Sequence, residues 1–206
     1  MRVKVCGLKE PENIKEVVQL PVDYIGLIFY KKSPRYVEAD PEDLAFMQNF
    51  DVKKVGVFVN ETEDFILDKI EQYKLDYIQL HGNESAHFCK KIQQLNRKVI
   101  KAFNIHNNFN FDELSDYEPF CHYFLFDAYG EKAGGNGITF NWDLLQKYKG
   151  ETPFLLSGGI GLETLEAINQ FEHKRFAGVD INSKFEITPG VKNIEKIKQF
   201  TNELFN

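Results

Sequence analysis

The chain has 206 residues, of which 43% are hydrophobic and 27% charged, and a formal net charge of −6. This length allows one domain or two small ones, and it can bury a sizeable core without disulfides. With no basic tail and no apolar run of about 20 residues, we expect no nucleic-acid or membrane partner. The first residues lack the apolar stretch of a signal peptide, and the three cysteines form no CxxC pair. We therefore expect a cytoplasmic protein with free thiols.

Short β-branched and aromatic segments alternate with longer amphipathic segments along the chain. This alternation predicts eight strands, each followed by a helix. The predicted strands cover residues 3–6, 24–29, 54–59, 77–80, 99–103, 122–126, 154–156 and 176–179. The predicted helices cover residues 13–19, 41–48, 63–73, 84–95, 112–117, 142–148, 162–171 and 194–204. Two N-caps are predicted, Asp40 before Pro41 and Thr62 before two acidic residues.

Strands that alternate with helices are typical of parallel strands joined by right-handed crossovers. Eight units of about 26 residues each predict an α/β fold, a closed (β/α)8 TIM barrel, for which about 200 residues is the lower size limit. An open doubly wound sheet is the alternative, although such sheets usually have five or six strands. No linker or change of composition divides the chain. We expect residues 1–206 to form a single compact domain without room for a fused partner.

Reactive side chains gather where a barrel places its chemistry, at the carboxyl ends of the strands. Cys6 ends the first strand, His81 follows the fourth and Asp127 follows the sixth. Each has an ordinary alternative: a buried cysteine acts as a small hydrophobe, an aspartate can cap a helix, and a histidine can be structural. Cys89 and Cys121 lie away from the strand ends, and we expect both to be structural.

The alternation of side chains along a strand predicts which of these groups meet. If Val3 and Val5 face the helices, then Lys4 and Cys6 face the barrel lumen. Asp127 shares its direction with other inward positions of the sixth strand, which lies three strands from the first in a ring of eight. We therefore expect Cys6 and Asp127 to face each other across the mouth.

Other features of the strand ends indicate an anionic substrate. In many barrels the loops after strands seven and eight bind phosphate, and the glycines and polar residues of such loops recur here as Gly158, Gly159, Asn182 and Ser183. Tight turns are the alternative for these loops. Arg35 follows a Ser-Pro turn, and a guanidinium can hold a carboxylate through two parallel bonds, although a surface ion pair is also possible. We expect a phosphorylated small molecule.

Several motifs, in their order and spacing, resemble the phosphoribosylanthranilate isomerase family over nearly the whole chain. The motifs are Lys4-Val5-Cys6-Gly7-Leu8, Gly26-Leu27-Ile28-Phe29-Tyr30, Ser33-Pro34-Arg35-Tyr36-Val37, Val55-Gly56-Val57-Phe58, Gln79-Leu80-His81-Gly82, Phe126-Asp127-Ala128-Tyr129, Gly134-Gly135-Asn136-Gly137, Thr139-Phe140-Asn141-Trp142, Ser157-Gly158-Gly159, Gly178-Val179-Asp180 and Pro189-Gly190-Val191-Lys192. The resemblance implies a TIM barrel that performs an Amadori rearrangement in tryptophan biosynthesis, without a cofactor or a metal, as a monomer or a homodimer.

The resemblance also implies roles for single residues. Cys6 is the expected base and Asp127 the expected acid, and Arg35 is expected to hold the anthranilate carboxylate. Substrate contacts are further expected from His81, Gly158, Gly159, Asp180, Asn182 and Ser183. A thiol is mostly protonated at neutral pH, so we expect Cys6 to need a lowered pKa, with Lys4 as the helper, or assistance from the substrate. Asp127 must instead hold a proton near pH 7, which requires a raised pKa.

The sequence departs from the family pattern at residues 182–185, where small residues are usual, so the phosphate loop is less certain there. Three other functions stay open. A related histidine-pathway isomerase would carry aspartate in place of Cys6. A metal-dependent sugar-phosphate epimerase would need several ligands at the strand ends, where His81 is the one histidine. A phosphate-binding barrel without catalysis would not need Cys6, Asp127 and Arg35 together.

Overall fold

The computed structural model describes residues 1–128 and 142–205. Eight parallel strands form a closed barrel in sequence order, with the last strand paired to the first. The strands are β1 (Arg2–Cys6), β2 (Tyr24–Ile28), β3 (Lys53–Phe58), β4 (Tyr77–Leu80), β5 (Lys98–Ile105), β6 (Tyr123–Ala128), β7 (Phe154–Ser157) and β8 (Phe176–Ile181). The prediction of a closed (β/α)8 barrel is confirmed, and the open sheet is excluded.

Helices follow the strands on the outside of the barrel. The α-helices are α1 (Pro11–Val17), α2 (Glu63–Tyr73), α3 (Ala86–Gln94), α4 (Leu165–Gln170) and α5 (Ile194–Phe205). The segments Pro41–Asn49, Phe111–Asp116, Glu118–Phe120, Trp142–Lys147, Leu162–Thr164 and Ser183–Phe185 are 3-10 helices. The helical segments predicted after strands two, five and six are therefore present as the tighter helix type. Thr62 caps α2 as predicted, by accepting from the amide of Phe65, whereas the side chain of Asp40 makes no capping bond.

Apolar side chains form two separate clusters, as the alternation along each strand predicts. Val3 and Val5 are fully buried in the large cluster between the strands and the helices. The barrel interior holds a smaller cluster, to which Tyr24 and Leu125 belong. Lys4 pairs with Tyr24 in the ladder between β1 and β2, and the two share the inward direction. The predicted inward orientation of Lys4 and Cys6 is thus confirmed.

The segment after β8 contains a hairpin that the sequence did not reveal. A 3-10 turn at Ser183–Phe185 leads into β9 (Glu186–Thr188), which pairs antiparallel with β10 (Val191–Lys192). Lys192 is fully buried. The hairpin therefore brings residues from beyond the barrel strands back to its mouth. Among the described residues, no helix is long and apolar enough to cross a membrane.

Candidate active site

The structure places the predicted site residues at one end of the barrel. Cys6 is the last residue of β1. Asp127 is the residue before the last in β6, and Asp180 is the residue before the last in β8. The other predicted residues lie in the loops after strands β2, β4, β7 and β8. They are Arg35, His81, Gly158, Gly159, Asn182 and Ser183. The glycine-rich segment 134–137, which belongs to the family resemblance, lies outside the described residues.

A buried cluster of Lys4, Cys6 and Asp180 forms the wall of the mouth on β1 and β8. The ammonium of Lys4 lies 3.0 Å from Oδ1 of Asp180 and interacts electrostatically with the Cys6 sulfur. The exposed fractions are 0%, 4% and 5% for Lys4, Cys6 and Asp180. Asp180 is therefore an ion-pair partner of Lys4, and its contact with substrate stays a prediction.

Burial and charge act in opposite directions on this cluster. Burial raises the pKa of the Cys6 thiol, and the Lys4 ammonium opposes that shift only in part. Burial also raises the pKa of Asp180, again against the effect of Lys4. Burial alone would lower the pKa of Lys4, but Asp180 and Cys6 raise it above its usual value. Lys4 acts in the predicted direction, yet the net pKa shift of Cys6 is upward. The raised pKa favours the neutral thiol in the free protein.

Gly26 on β2 leaves the space in which Cys6 and Lys4 converge. A Cβ at this position would lie 2.7 Å from Cys6 Sγ and 3.2 Å from Lys4 Nζ, both closer than side chains normally approach. Gly26 pairs with Cys6 in the ladder between β1 and β2. The sequence contains Gly26 within a family motif, but its role becomes visible only from this contact.

We expect Gly26→Ala to lower kcat by about 10- to 100-fold, because the added methyl displaces the sulfur from its position. Steady-state kinetics measure this effect. Gly56→Ala is the matched control, since its Cβ would crowd Leu75 and Phe58 on the outer side of β3, away from the mouth. Both variants overpack the protein, at a cost of about 1–3 kcal/mol. Equal kcat values in the two variants would show that Gly26 does not serve Cys6.

His81 and Asp127 lie close together at the mouth of the barrel, although β5 separates the strands that carry them. Nε2 of His81 lies 3.6 Å from Oδ2 of Asp127, and both side chains keep partial exposure to the mouth, 30% and 22%. The loop that carries His81 is fixed by the buried ion pair of Lys101 with Glu84, which spans 3.2 Å. Glu84 also accepts from the amide of Gly82, next to His81. The Lys101–Glu84 pair thus fixes the loop of His81, and Nε2 of His81 faces the predicted acid, Asp127.

Arg35 is engaged within the protein by a residue that the sequence reasoning missed. Its Nε and Nη2 donate to Oε1 and Oε2 of Glu186 over 2.8 and 2.6 Å. Glu186 also accepts from Nζ of Lys192 at 2.8 Å and from the amide of Gly190 at 3.0 Å. The structure thus shows the ion pair that was the alternative for Arg35, and its contact with substrate stays a prediction. The family motif that contains Gly190 and Lys192 was the available signal for this network.

Glu186 responds to its cationic partners with a strongly shifted pKa. Burial by itself would raise the pKa of the carboxyl, but the hydrogen bonds from Arg35 and Lys192 lower it to about 2 from 4.5. Because the folded-state pKa is lowered, the stabilisation by this carboxylate is full above about pH 4.5 and is lost as the pH falls towards about 2.

We expect Glu186→Gln to destabilise the protein near neutral pH, and we expect its deficit to shrink towards about pH 2–3. Urea unfolding of variant and wild type at several pH values measures the two free energies of unfolding. Glu12→Gln is a suitable control, because the Glu12 side chain is 85% exposed. A deficit for Glu186→Gln that does not change with pH would contradict the proposed coupling.

The loop after β7 has the backbone geometry of an anion site. Gly158 and Gly159 both adopt positive φ angles, 90° and 68°, which favour glycine. A Cβ on Gly159 would meet no heavy atom within 4 Å, so this backbone borders open space. On the adjacent loop after β8, Oδ1 of Asn182 accepts from Lys192 Nζ at 2.7 Å. Ser183 begins the 3-10 turn that follows β8 and is exposed. The open space beside Gly159 is where the predicted phosphate site would lie.

A fold of this kind, with titratable groups collected at the carboxyl ends of its strands, defines the class of (β/α)8-barrel enzymes. The family profile described as PRAI, N-(5'phosphoribosyl)anthranilate (PRA) isomerase, matches residues 3–203. The chain therefore belongs to the N-(5'-phosphoribosyl)anthranilate isomerase family. The histidine-pathway isomerase and the metal-dependent epimerase are thereby set aside.

Individual relatives agree with this assignment. The N-(5'-phosphoribosyl)anthranilate isomerase of Parabacteroides distasonis is 49% identical over 208 residues, which span 100% of this chain and 94% of that protein. The solved phosphoribosyl anthranilate isomerase of Thermotoga maritima superposes with a TM-score of 0.85 at 35% identity, covering 100% of this chain and 98% of the other. A further isomerase structure, in complex with reduced 1-(o-carboxyphenylamino)-1-deoxyribulose 5-phosphate, gives 0.82 at 33% identity with the same coverage.

Proposed function

We propose that the protein converts N-(5'-phosphoribosyl)anthranilate into 1-(2-carboxyphenylamino)-1-deoxyribulose 5-phosphate, with Cys6 as the base and Asp127 as the acid. The observation that carries the assignment is the placement of both residues on inward positions of β1 and β6 at the same mouth. An acid and a base on opposite walls suit a reaction that needs one proton given and one taken. This reaction belongs to tryptophan biosynthesis and uses only side-chain acid–base chemistry.

Asp127 starts the reaction by giving a proton to the ring oxygen of the ribose. The C1–O bond then breaks, and the anilino nitrogen shares its electrons to form a Schiff base. Asp127 suits this step because it is partly exposed to the mouth. Its other neighbour is Asp180, whose negative charge acts on the same region. Asp180 in turn is paired with Lys4.

Cys6 completes the reaction by removing the proton from C2 of the ribose. The resulting enolamine tautomerises to the ketone, which returns the nitrogen to an amine. The thiol is neutral in the free protein, so its proton must leave when substrate binds, and the Lys4 ammonium stabilises the thiolate that forms. The cationic Schiff base on the substrate adds to that stabilisation.

Three sets of contacts hold the substrate in this account. The phosphate binds to the backbone around Gly158 and Gly159, with Asn182 and Ser183 on the neighbouring loop after β8. The anthranilate carboxylate binds the free edge of Arg35, whose other edge Glu186 fixes. Asp180 acts through Lys4, and His81 lines the wall beside Asp127.

We expect Arg35→Lys to raise KM by about tenfold or more with a small change in kcat. Lysine keeps the charge but cannot hold Glu186 through two bonds and also face the substrate. A lost hydrogen bond to a charged group is worth about 1.5–3 kcal/mol, which sets that scale. Steady-state kinetics separate the two constants, and a fall in kcat at constant KM would contradict the role.

The activity itself is tested by generating phosphoribosylanthranilate in situ and following the loss of its anthranilate fluorescence with and without the protein. We expect the protein to accelerate the loss greatly. Absence of any acceleration would instead favour a phosphate-binding barrel that lacks catalysis.

We further propose that residues 1–206 act as one barrel domain in the cytoplasm, as a monomer or a homodimer. The three cysteines are free thiols, which suits a reducing compartment. A dimeric phosphoribosylanthranilate isomerase from Thermotoga maritima is known at 32% identity, which supports a test for the dimer. Sedimentation of the purified chain distinguishes the two states.

A further inference from the structure

Gln79 on β4 is a buried amide that contacts His81. It is 1% exposed and lies two residues before His81, so both side chains point into the barrel. Its Nε2 lies 2.8 Å from Nδ1 of His81. On the other side of the ring, His81 Nε2 faces Oδ2 of Asp127 at 3.6 Å. A single line of polar groups thus leads from the barrel interior to the predicted acid.

The amide of Gln79 has no second partner that would explain its burial. Its Oε1 makes no hydrogen bond to any described residue, although the atom is buried. The interior positions around it on neighbouring strands are apolar, among them Val55, Ile100 and Ala102. An apolar side chain would fill this space without leaving an acceptor unpaired. The bond to His81 is therefore the feature that distinguishes glutamine from a hydrophobic residue here.

With the amide nitrogen of Gln79 next to Nδ1, this contact favours one tautomer of His81. An amide nitrogen can only donate, so Nδ1 must accept and hold a lone pair. The proton of the neutral ring then lies on Nε2, the nitrogen that faces Asp127. The separation of 3.6 Å is longer than a hydrogen bond, and a small rotation of either side chain on substrate binding would close it.

We propose that Gln79 is a positioning residue that holds His81 in the tautomer whose Nε2–H points at Oδ2 of Asp127. With Oδ2 accepting from the histidine, the acid proton of Asp127 sits on Oδ1 and is directed at the substrate oxygen. This inference rests on the proposed function of Asp127 as the acid.

Other charged groups surround His81 without replacing this contact. Asp180 on β8 is near enough to be influenced by the ring, but its own partner is Lys4 on β1. On the outer side, Lys101 of β5 and Glu84 after β4 neutralise each other beneath the same loop. The tautomer is therefore set by Gln79, the group bonded to Nδ1.

Two substitutions test the inference, with kinetics and nuclear magnetic resonance as readouts. Gln79→Met removes the donor at similar volume, and Gln79→Glu replaces it with an acceptor that favours a proton on Nδ1. Ring nitrogen shifts of 15N-histidine-labelled protein, assigned with His81→Asn, report the tautomer without substrate. Gln72→Met on the exposed face of α2 is the matched control. Melting curves establish that each variant is folded.

We expect a proton on Nε2 in the wild type, a tautomer mixture in Gln79→Met and a proton on Nδ1 in Gln79→Glu. We also expect kcat to fall by about 10- to 100-fold in Gln79→Met, with KM within about twofold, and the pH dependence of kcat to change in Gln79→Glu. A wild-type ring protonated on Nδ1, or folded variants with wild-type kcat, would overturn the inference. An inactive wild type would overturn the proposed function, while the tautomer data would still decide whether Gln79 sets the ring.

Discussion

Cys6→Ser is expected to lower kcat by about 10²–10⁴-fold, the usual contribution of a general base, with a much smaller effect on KM. A serine hydroxyl gives up its proton far less readily than a thiol, and the buried position that already disfavours a thiolate would disfavour an alkoxide more. Steady-state fluorescence kinetics measure the change. Cys121→Ser is the control, because Cys121 precedes β6 at the opposite end of the barrel. Near-normal turnover in Cys6→Ser would remove the proposed base.

The role of Lys4 is separable from that of Cys6. In Lys4→Met, the thiolate loses its cationic partner, so the pKa of Cys6 should rise further and the alkaline limb of the pH–rate profile should move to higher pH. Asp180 also loses its partner in this variant, so a melting curve must confirm the fold. An alkaline limb at the wild-type position would exclude Lys4 as the helper.

Asp127→Asn is expected to lower kcat by about 10²–10⁴-fold as well, since an amide cannot supply the proton that opens the ribose ring. The substitution preserves shape and leaves an oxygen to accept from His81, so KM should change little. Asp116→Asn, at an exposed position after β5, is the matched control. A variant that retains wild-type turnover would show that the acid is another group.

The barrel could be predicted from the sequence because its signals are local. Strand and helix patterns alternate in order, and the two-residue period of β1 places Lys4 and Cys6 inward beside outward Val3 and Val5. The type of several helices could not be predicted. The segment Pro41–Asn49 begins with the proline that the prediction used, but it forms a 3-10 helix, which contacts α1 and α2.

The position of the site was also predictable, but its internal pairings were not. Strand ends identify Cys6 and Asp127, whereas the bond between Arg35 and Glu186 joins residues 151 positions apart. In the sequence Gln79 is an ordinary strand residue, and only the structure shows that its amide contacts His81. The first contact depends on the hairpin after β8, which no local pattern reveals. The second joins residues only two positions apart, but the strand pattern does not show that their side chains bond to each other.

The protein has a net charge of −6, but the charged groups at the mouth differ from this overall balance and bear on how it attracts an anionic substrate. Within the described mouth, the cations Lys4, Arg35 and Lys192 face the carboxylates Asp180 and Glu186. The three cations outnumber the two carboxylates with which they pair. Local potential at the site can therefore oppose the overall charge of the protein.

The central claim is that Asp127 opens the ring and Cys6 then removes the proton from C2, and an isotope effect tests it most directly. Turnover is compared between substrate with hydrogen and with deuterium at ribose C2, in Cys6→Ser and in Asp127→Asn. We predict a clear primary isotope effect in Cys6→Ser, where proton removal limits the rate, and none in Asp127→Asn, where ring opening limits it. An isotope effect in Asp127→Asn with none in Cys6→Ser would contradict the account.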